Sequence, residues 1–445
     1  MKRKILTKLK KWKAEAKGET ALLVTGARRV GKSYAVEEFA REEYKSYLLI
    51  DFSEASEELK DLFRYQMQNL DIFFQLLTEL MGVKLYKRES VIVFDEVQSF
   101  PRARECIKRL VADGRYDYIE TGSLMSIREN TADILIPSEE QEVKMWPMDF
   151  EEFTWALGED MLFDTLRAML REKHPLGQAL HRKIMTLFRL YLITGGMPQA
   201  VAKYIDSTDL KQVDQVKRNI LALYRNDIIK HGDRNSLKIQ QIFDQIPTEL
   251  SSPNKRFMLT DISSDARMRE YEDALLWLME ARLVNLCYNT MEPTVGLAAR
   301  LDSTMFKCYH ADTGLLISQT FAEEVLSRDE IYKKLLFYKL EFNNGMVLEN
   351  VVAQLLTAAG HDLYYYAEPT DRIEIDFLLT KGQLTSRHNI TPIEVKSGKE
   401  YMTKSLTRYS EKYARQIGTQ YIFHDGDISV DGDVMKLPVY MAGLI

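Results

Sequence analysis

One stretch of eight residues constrains this chain more than any other. Gly26-Ala27-Arg28-Arg29-Val30-Gly31-Lys32-Ser33 reads G-x-x-x-x-G-K-S, a spacing that follows from phosphate chemistry. Two glycines let the backbone curl until its N–H groups converge on phosphate oxygens. The lysine reaches the β- and γ-phosphates, and the hydroxyl after it can hold Mg²⁺. The flanks agree with this. Ala21-Leu22-Leu23-Val24-Thr25 is a short apolar run that suits a buried strand. Residues 33–41 can form a helix whose N-terminus favours anions. Gly26, Ala27, Arg28, Arg29, Val30, Gly31, Lys32 and Ser33 together make a candidate nucleoside triphosphate site.

The second half of such a site appears at Ser90-Val91-Ile92-Val93-Phe94-Asp95-Glu96, an apolar strand that ends in two acids. Alone this pattern is common, but paired with the loop it is informative. Asp95 is the candidate to hold Mg²⁺, directly or through water. Glu96 is the candidate to orient or activate an attacking water. Tyr47-Leu48-Leu49-Ile50-Asp51 reads as another strand, residues 55–81 as a long helical stretch and residues 101–113 as a helix. A further strand spans 116–123, and a polar residue at its tip, such as Ser123, is placed to touch the γ-phosphate or to form an ordinary turn. Repeated strand–helix alternation predicts an α/β fold, a mostly parallel sheet with helices on both faces. Ligands in such sheets sit at the carboxyl ends of the strands, where these motifs fall.

Length and composition set the frame. The chain has 445 residues, 45% hydrophobic and 28% charged, enough for two to four domains with sizeable cores. A net charge of -6 means that any nucleic-acid contact must be local. Cys106, Cys287 and Cys308 show no paired spacing, which points to neither a zinc site nor a disulfide framework and fits a reducing cytoplasm. No apolar run reaches the length of a membrane span, so no membrane partner is expected. The basic N-terminal segment places Ile5, Leu6, Leu9 and Trp12 on one helix side. Its lysines make either a solvated face or a contact for an anionic polymer or surface.

From about Phe150 the rhythm becomes helical through residue 235, with a break at Thr194-Gly195-Gly196-Met197-Pro198 that reads as a structural turn. Residues 236–317 have the element order of a winged helix. Its third helix carries Glu270, Glu272, Asp273 and Glu280 against Arg267, Arg269 and Arg282, which matches phosphate poorly and favours a protein partner over DNA. Four domains are expected: 1–150, a helical and winged-helix region at 151–317, a helical connector at 318–344, and 345–445.

Six stretches together carry a family resemblance: GARRVGKS from Gly26, VIVFDEVQ from Val91, TGS from Thr121, MWPMDFEEF from Met145, YLITGGMPQAV from Tyr191 and FKCYHADTGLL from Phe306. The chain resembles the AAA-type ATPases of bacteria and archaea that bear a long C-terminal region of unassigned function, within the wider signal-transduction ATPase group. The resemblance implies ATP binding at 26–33, Mg²⁺ with Ser33 and Asp95, catalysis by Lys32 and Glu96, and a sensing position near Ser123. Many relatives carry a Gly-Arg pair before the segment matching MWPMDFEEF. Here Ile136-Pro137-Ser138-Glu139-Glu140 stands instead, which leaves Arg28 and Arg128 as candidates for a trans-acting arginine and the oligomeric state open.

The last hundred residues hold a second constellation. Glu349 lies in a helical stretch, Asp376 on a strand candidate, and Glu394 and Lys396 on one face of another. This order resembles the PD-(D/E)xK nuclease superfamily, a restriction-endonuclease-like α/β fold in which acids such as Asp376 and Glu394 hold a metal and the lysine assists the attacking water. Glu-x-Lys alone is uninformative, since Glu142-Val143-Lys144 repeats it, and Glu374-Ile375 stands where the superfamily has its proline-aspartate start. Lys404, Arg408, Lys412 and Arg415 follow at near-helical spacing, as a phosphate-tracking stripe or a solvated face. Two functions follow: an ATPase switch coupled to a nuclease-like domain that processes nucleic acid, or an ATP-dependent regulatory switch whose C-terminal domain only binds.

Overall fold

Alternation along the first strands decides which side chains face which helices. In the computed structural model, residues 1–122, 138–253, 255–262, 267–293, 296–321, 344–368, 370, 373–380, 389–398 and 402–445 are described, and elements are numbered within them. The chain divides into two compact units, Met1–Trp146 and Pro147–Ile445. In the first, β1 (Ala21–Gly26), β2 (Ser46–Asp51), β3 (Ser90–Asp95), β4 (Asp117–Gly122) and β5 (Glu140–Met145) form one sheet in the order β2-β3-β4-β1-β5. Every pairing in it is parallel. Leu22 and Val24 point to one face, with α1 (Ile5–Ala16) and α2 (Lys32–Glu43). Ala21 and Leu23 point to the other, against α3 (Glu57–Asp61), α4 (Leu70–Met81) and α5 (Pro101–Asp113). That second core is rich in phenylalanine, with Phe52, Phe63 and Phe94 meeting edge to face.

Three expectations change. The helical stretch 55–81 is broken: α3 runs into a wide turn at Leu62–Gln66, and α4 restarts where the Asn69 side chain accepts from the Asp71 and Ile72 amides. The strand β5 went unread because its sequence, EQEVKM, is charged. It lies at the sheet edge, where one face is wet. In α1, Ile5, Leu9 and Trp12 are buried as expected, while Lys10 and Lys13 pair with acids of α2. Its lysine face is thus committed in part to the neighbouring helix.

The second unit opens with helices: α6 (Phe150–Ala156), α7 (Leu162–Glu172), α8 (Gln178–Thr194), α9 (Pro198–Ser207), α10 (Leu210–His231), α11 (Ser236–Ser251) and α12 (Met268–Glu280). A hairpin of β6 (Val284–Thr290) and β7 (Leu301–His310) follows, then α13 (Thr313–Thr320) and α14 (Asn344–Ala359). The rest supplies β8 (Tyr364–Glu368), β9 (Ile373–Thr380), β10 (Ile390–Val395), α15 (Lys404–Lys412), β11 (Gln420–His424), β12 (Ser429–Asp431) and β13 (Val434–Pro438). One mixed sheet of eight strands results, ordered β12-β13-β11-β10-β9-β8-β6-β7. The β6–β7 hairpin of the region read as a winged helix is therefore built into this sheet, because β6 spends its second edge on β8. Strands from 151–317 and from 345–445 share one sheet, across the expected division. Most of the expected connector, 318–344, lies outside the described residues.

Three of the quoted stretches meet in the second unit and prove to be packing devices. A Cβ on Gly196 would lie 2.1 Å from the Met148 carbonyl oxygen, and one on Gly314 would lie 2.5 Å from the backbone of Gly195. Asp312 closes the junction, accepting from the Gly196 amide at 2.6 Å and capping α13 through the Leu315 amide at 2.9 Å. Buried Lys217 donates to the carbonyls of Ile193 (2.6 Å) and Gly314 (3.2 Å), and burial pushes its ammonium down to about 8. Overpacking of this kind costs roughly 1–3 kcal/mol. Gly314→Ala should accordingly lower the urea midpoint of the full chain at unchanged slope, whereas an unchanged midpoint would mean that the backbones need not touch.

Candidate functional site

The phosphate-loop motif occupies the link between β1 and α2, at the carboxyl end of the parallel sheet. Its variable positions divide by chemistry. Ala27 and Val30 are buried in the core beside α2, and Arg28 and Arg29 are exposed. Gly31 precedes the helix at φ +92°, a left-handed conformation that favours glycine. Arg29 also sits at φ +67°, a strained setting of the kind that clusters at ligand sites. Because α2 begins at Lys32, the first amides of that helix have no acceptor within it and face the loop. A Cβ on Gly26 would come within 2.4 Å of the Met145 carbonyl oxygen, so the first glycine is needed for the approach of β5.

The acids of β3 come to the same place. Asp95 is buried, and its Oδ1 accepts from the Ser33 hydroxyl at 2.9 Å and from the Thr121 hydroxyl. A carboxylate beside a hydroxyl is a hard-oxygen pair of the type Mg²⁺ takes, with waters and phosphate completing its shell. Lys32 folds over the loop and donates to the carbonyls of Gly26 (3.0 Å) and Ala27 (3.1 Å). Burial pushes its ammonium below the ordinary value, opposed by the charges of Glu96 and Asp95. Glu96 stands at φ +52°, where β3 ends, and its carboxylate accepts from the Gln98 side chain. Lys32, Ser33, Asp95 and Glu96 are thus brought together. Ser123 and Arg128 lie outside the described residues. Thr121, two positions before Ser123, is the contact to Asp95 that sequence reasoning missed; its place in the β4 strand candidate was the available signal.

Arg3 was missed as well. It is buried, and its guanidinium donates to the Val30 carbonyl at 3.0 Å and to the Trp146 carbonyl at 2.7 Å. The loop is thereby tied to the chain just past β5. In a run of lysines and arginines, nothing marked this residue as different from its neighbours.

The four C-terminal residues also fall in one region, on α14, β9, β10 and the residue after β10. Each is already engaged by the protein. Glu349 accepts from Lys307 at 3.0 Å, and from Lys255 and Tyr309. Asp376 accepts from the Val395 amide at 2.8 Å and lies 3.8 Å from the Lys307 ammonium. Glu394 lies 2.8 Å from Lys396. Burial would raise Glu349, but Lys307 and Lys255 outweigh it and hold the carboxyl well below the usual range. Burial pushes Glu394 up to about 7, against the pull of Lys396. Among the described residues no three His, Cys, Asp or Glu side chains are grouped to hold a metal, and the expected metal pair, Asp376 and Glu394, is engaged by the Val395 amide and by Lys396. Of the basic stripe, Lys412 pairs with Glu368, and Arg415 lies beyond the end of α15.

Comparison with known proteins divides the chain in three. Residues 18–154 match the family described as AAA domain. Residues 185–325 and 344–440 match two families described as domains of unknown function, DUF8612 and DUF4143. No curated protein matches the chain. Solved structures similar to it include the ORC2 protein of Aeropyrum pernix in its ADP form, at 15% identity and TM-score 0.28 over 76% of this chain and 93% of that one. Another is the RuvB Holliday junction branch migration motor of Thermotoga maritima, at 11% identity and TM-score 0.29 over 64% and 89%. The AAA match supports a P-loop AAA-type ATPase domain in the first unit. No described helix is long and apolar enough to cross a membrane.

Two outcomes follow from the geometry. A hydrogen bond from a charged donor contributes roughly 1.5–3 kcal/mol. Loss of both Arg3 contacts should therefore weaken ATP binding about tenfold in Arg3→Ala, with Arg3→Lys intermediate, as measured by calorimetric titration. For Glu394 the sign is set by a raised folded-state pKa. Between about 4.5 and about 7 the folded chain holds a proton that the unfolded chain has lost, so this group's contribution to stability falls as pH rises through that window. Glu394→Gln removes that slope. Its stability relative to wild type, from urea unfolding, should rise between pH 5 and pH 8.

Proposed function

We propose that the chain is a Mg²⁺-dependent ATPase that works as a switch, with residues 1–150 as its motor and the remainder as the module that responds. The single observation that carries this is the meeting of Ser33 with Asp95 at 2.9 Å beneath a glycine-shaped loop. Residues 26–33 bind the phosphates through their amides, and Lys32 leaves the Gly26 and Ala27 carbonyls to pair with phosphate oxygens. Ser33 and Asp95 hold Mg²⁺, which neutralises charge on the phosphates when bound. Glu96 orients the attacking water and accepts its proton. Thr121 keeps the Asp95 carboxylate turned toward Ser33, and Ser123, two positions later in the sequence, is the proposed sensing residue.

Two roles stand for the responding module: nucleic-acid processing through Glu349, Asp376, Glu394 and Lys396, or regulatory binding of a protein partner. The engagement of those acids by the chain's own lysines favours the second. The acidic third helix of the 236–317 region points the same way.

Mutation separates the roles at the ATP site. Lys32→Ala should weaken ATP binding about 10- to 100-fold, the equivalent of one charge-assisted contact. Glu96→Gln should keep binding and lose about 10²- to 10⁴-fold in turnover, the range of a lost general base. Equal turnover in wild type and Glu96→Gln would remove Glu96 from the mechanism.

A further inference from the structure

Outside the ATP site, a dense group of ionisable side chains surrounds Lys307. This lysine lies on β7 and is 1% exposed. Its ammonium sits 3.0 Å from Glu349 Oε1, 3.0 Å from Glu374 Oε1 and 3.8 Å from Asp376 Oδ1, with the Tyr365 ring 5.1 Å away. Three carboxylates from a helix and a strand thus converge on one cation that arrives from a different strand. Lys255 takes the other oxygen of Glu349, the Tyr309 hydroxyl donates to its first, and the Val395 amide takes Asp376 Oδ2. Lys396 balances Glu394.

A buried carboxylate such as Glu349 needs a counter-charge, and either a metal ion or a paired side chain can supply it, while Glu374 and Asp376 reach the same cation from partly exposed positions. Mg²⁺ demands near-octahedral oxygen geometry and keeps its own waters. An ammonium already among the same carboxylates leaves neither the space nor the negative charge for that shell. We infer that Lys307 is the resident cation of the Glu349–Glu374–Asp376 cluster and that this site therefore takes no divalent metal. The module keeps its acids as a charge-balanced framework, and metal-assisted phosphodiester cleavage is not its chemistry. This deepens the regulatory-binding reading and rests on it, but the two can fail separately.

Manganese binding by the full-length chain, without nucleotide, tests it through the loss of the free Mn²⁺ paramagnetic resonance signal. Wild type and Asp376→Asn should titrate alike, since Asp376 holds no metal. Lys307→Met should gain a site at least tenfold tighter than anything in wild type, and adding Asp376→Asn should abolish the gain. Circular dichroism checks each fold, and Lys307→Gln replaces the Met variant if that one does not fold. A wild-type Mn²⁺ site lost in Asp376→Asn, or a folded Lys307 variant with no gain, overturns the inference. Nucleic-acid cleavage is read in parallel. Cleavage that persists in EDTA would sink the regulatory reading and leave the metal-free site standing. A wild-type Mn²⁺ site without cleavage would do the reverse.

Discussion

The carboxylate of Asp95 is the point on which the first unit turns. It stands buried at the end of β3 and receives hydroxyls from Ser33, at the start of α2, and Thr121, on β4. Three segments far apart in sequence meet at its Oδ1. Strand order makes this possible: β4 lies between β1 and β3, so its tip stands between the loop and the acid. A buried carboxylate with hydroxyl donors beside it is a natural place for a metal that arrives with a charged ligand. The lowered Lys32 ammonium, bonded to two loop carbonyls, is the other half of the same preparation.

The second unit has buried charges of its own. Its buried charges are matched by the chain itself, through Lys217 beneath the glycine junction and Lys307 among the carboxylates. Breaking a buried pair by removing one partner leaves an uncompensated charge and is strongly destabilising. Such groups therefore hold their surroundings in one arrangement. The first unit holds a cluster of this kind too, with Arg104 between Glu120 and Glu140.

Much of the first unit was legible because β1 and β3 are buried on both faces and read as apolar runs, as in Val91-Ile92-Val93-Phe94. Edge strand β5 was not, since a half-wet strand such as EQEVKM carries no such run. The loop and its two acids announced themselves by spacing. Thr121 and Arg3 did not, because their roles arise from tertiary contacts with Asp95 and Val30. In the second unit, the order of Glu349, Asp376, Glu394 and Lys396 was visible and the four do share a region. Lys307 was hidden for a simple reason. It precedes Glu349 by 42 positions in sequence, belongs to a segment read as part of a winged helix, and enters the cluster only because the hairpin joins the larger sheet.

A nucleotide site at this loop requires the first helical amides of α2 to become phosphate ligands. Amide hydrogen exchange of the full-length chain reports on them directly, compared with and without ATP and Mg²⁺. Slowed exchange across residues 31–34 on addition of ATP with Mg²⁺, weakened when Mg²⁺ is chelated, is the predicted result. Exchange at those positions that is indifferent to ATP, in a chain that remains folded, would contradict the assignment of the loop as a nucleotide site.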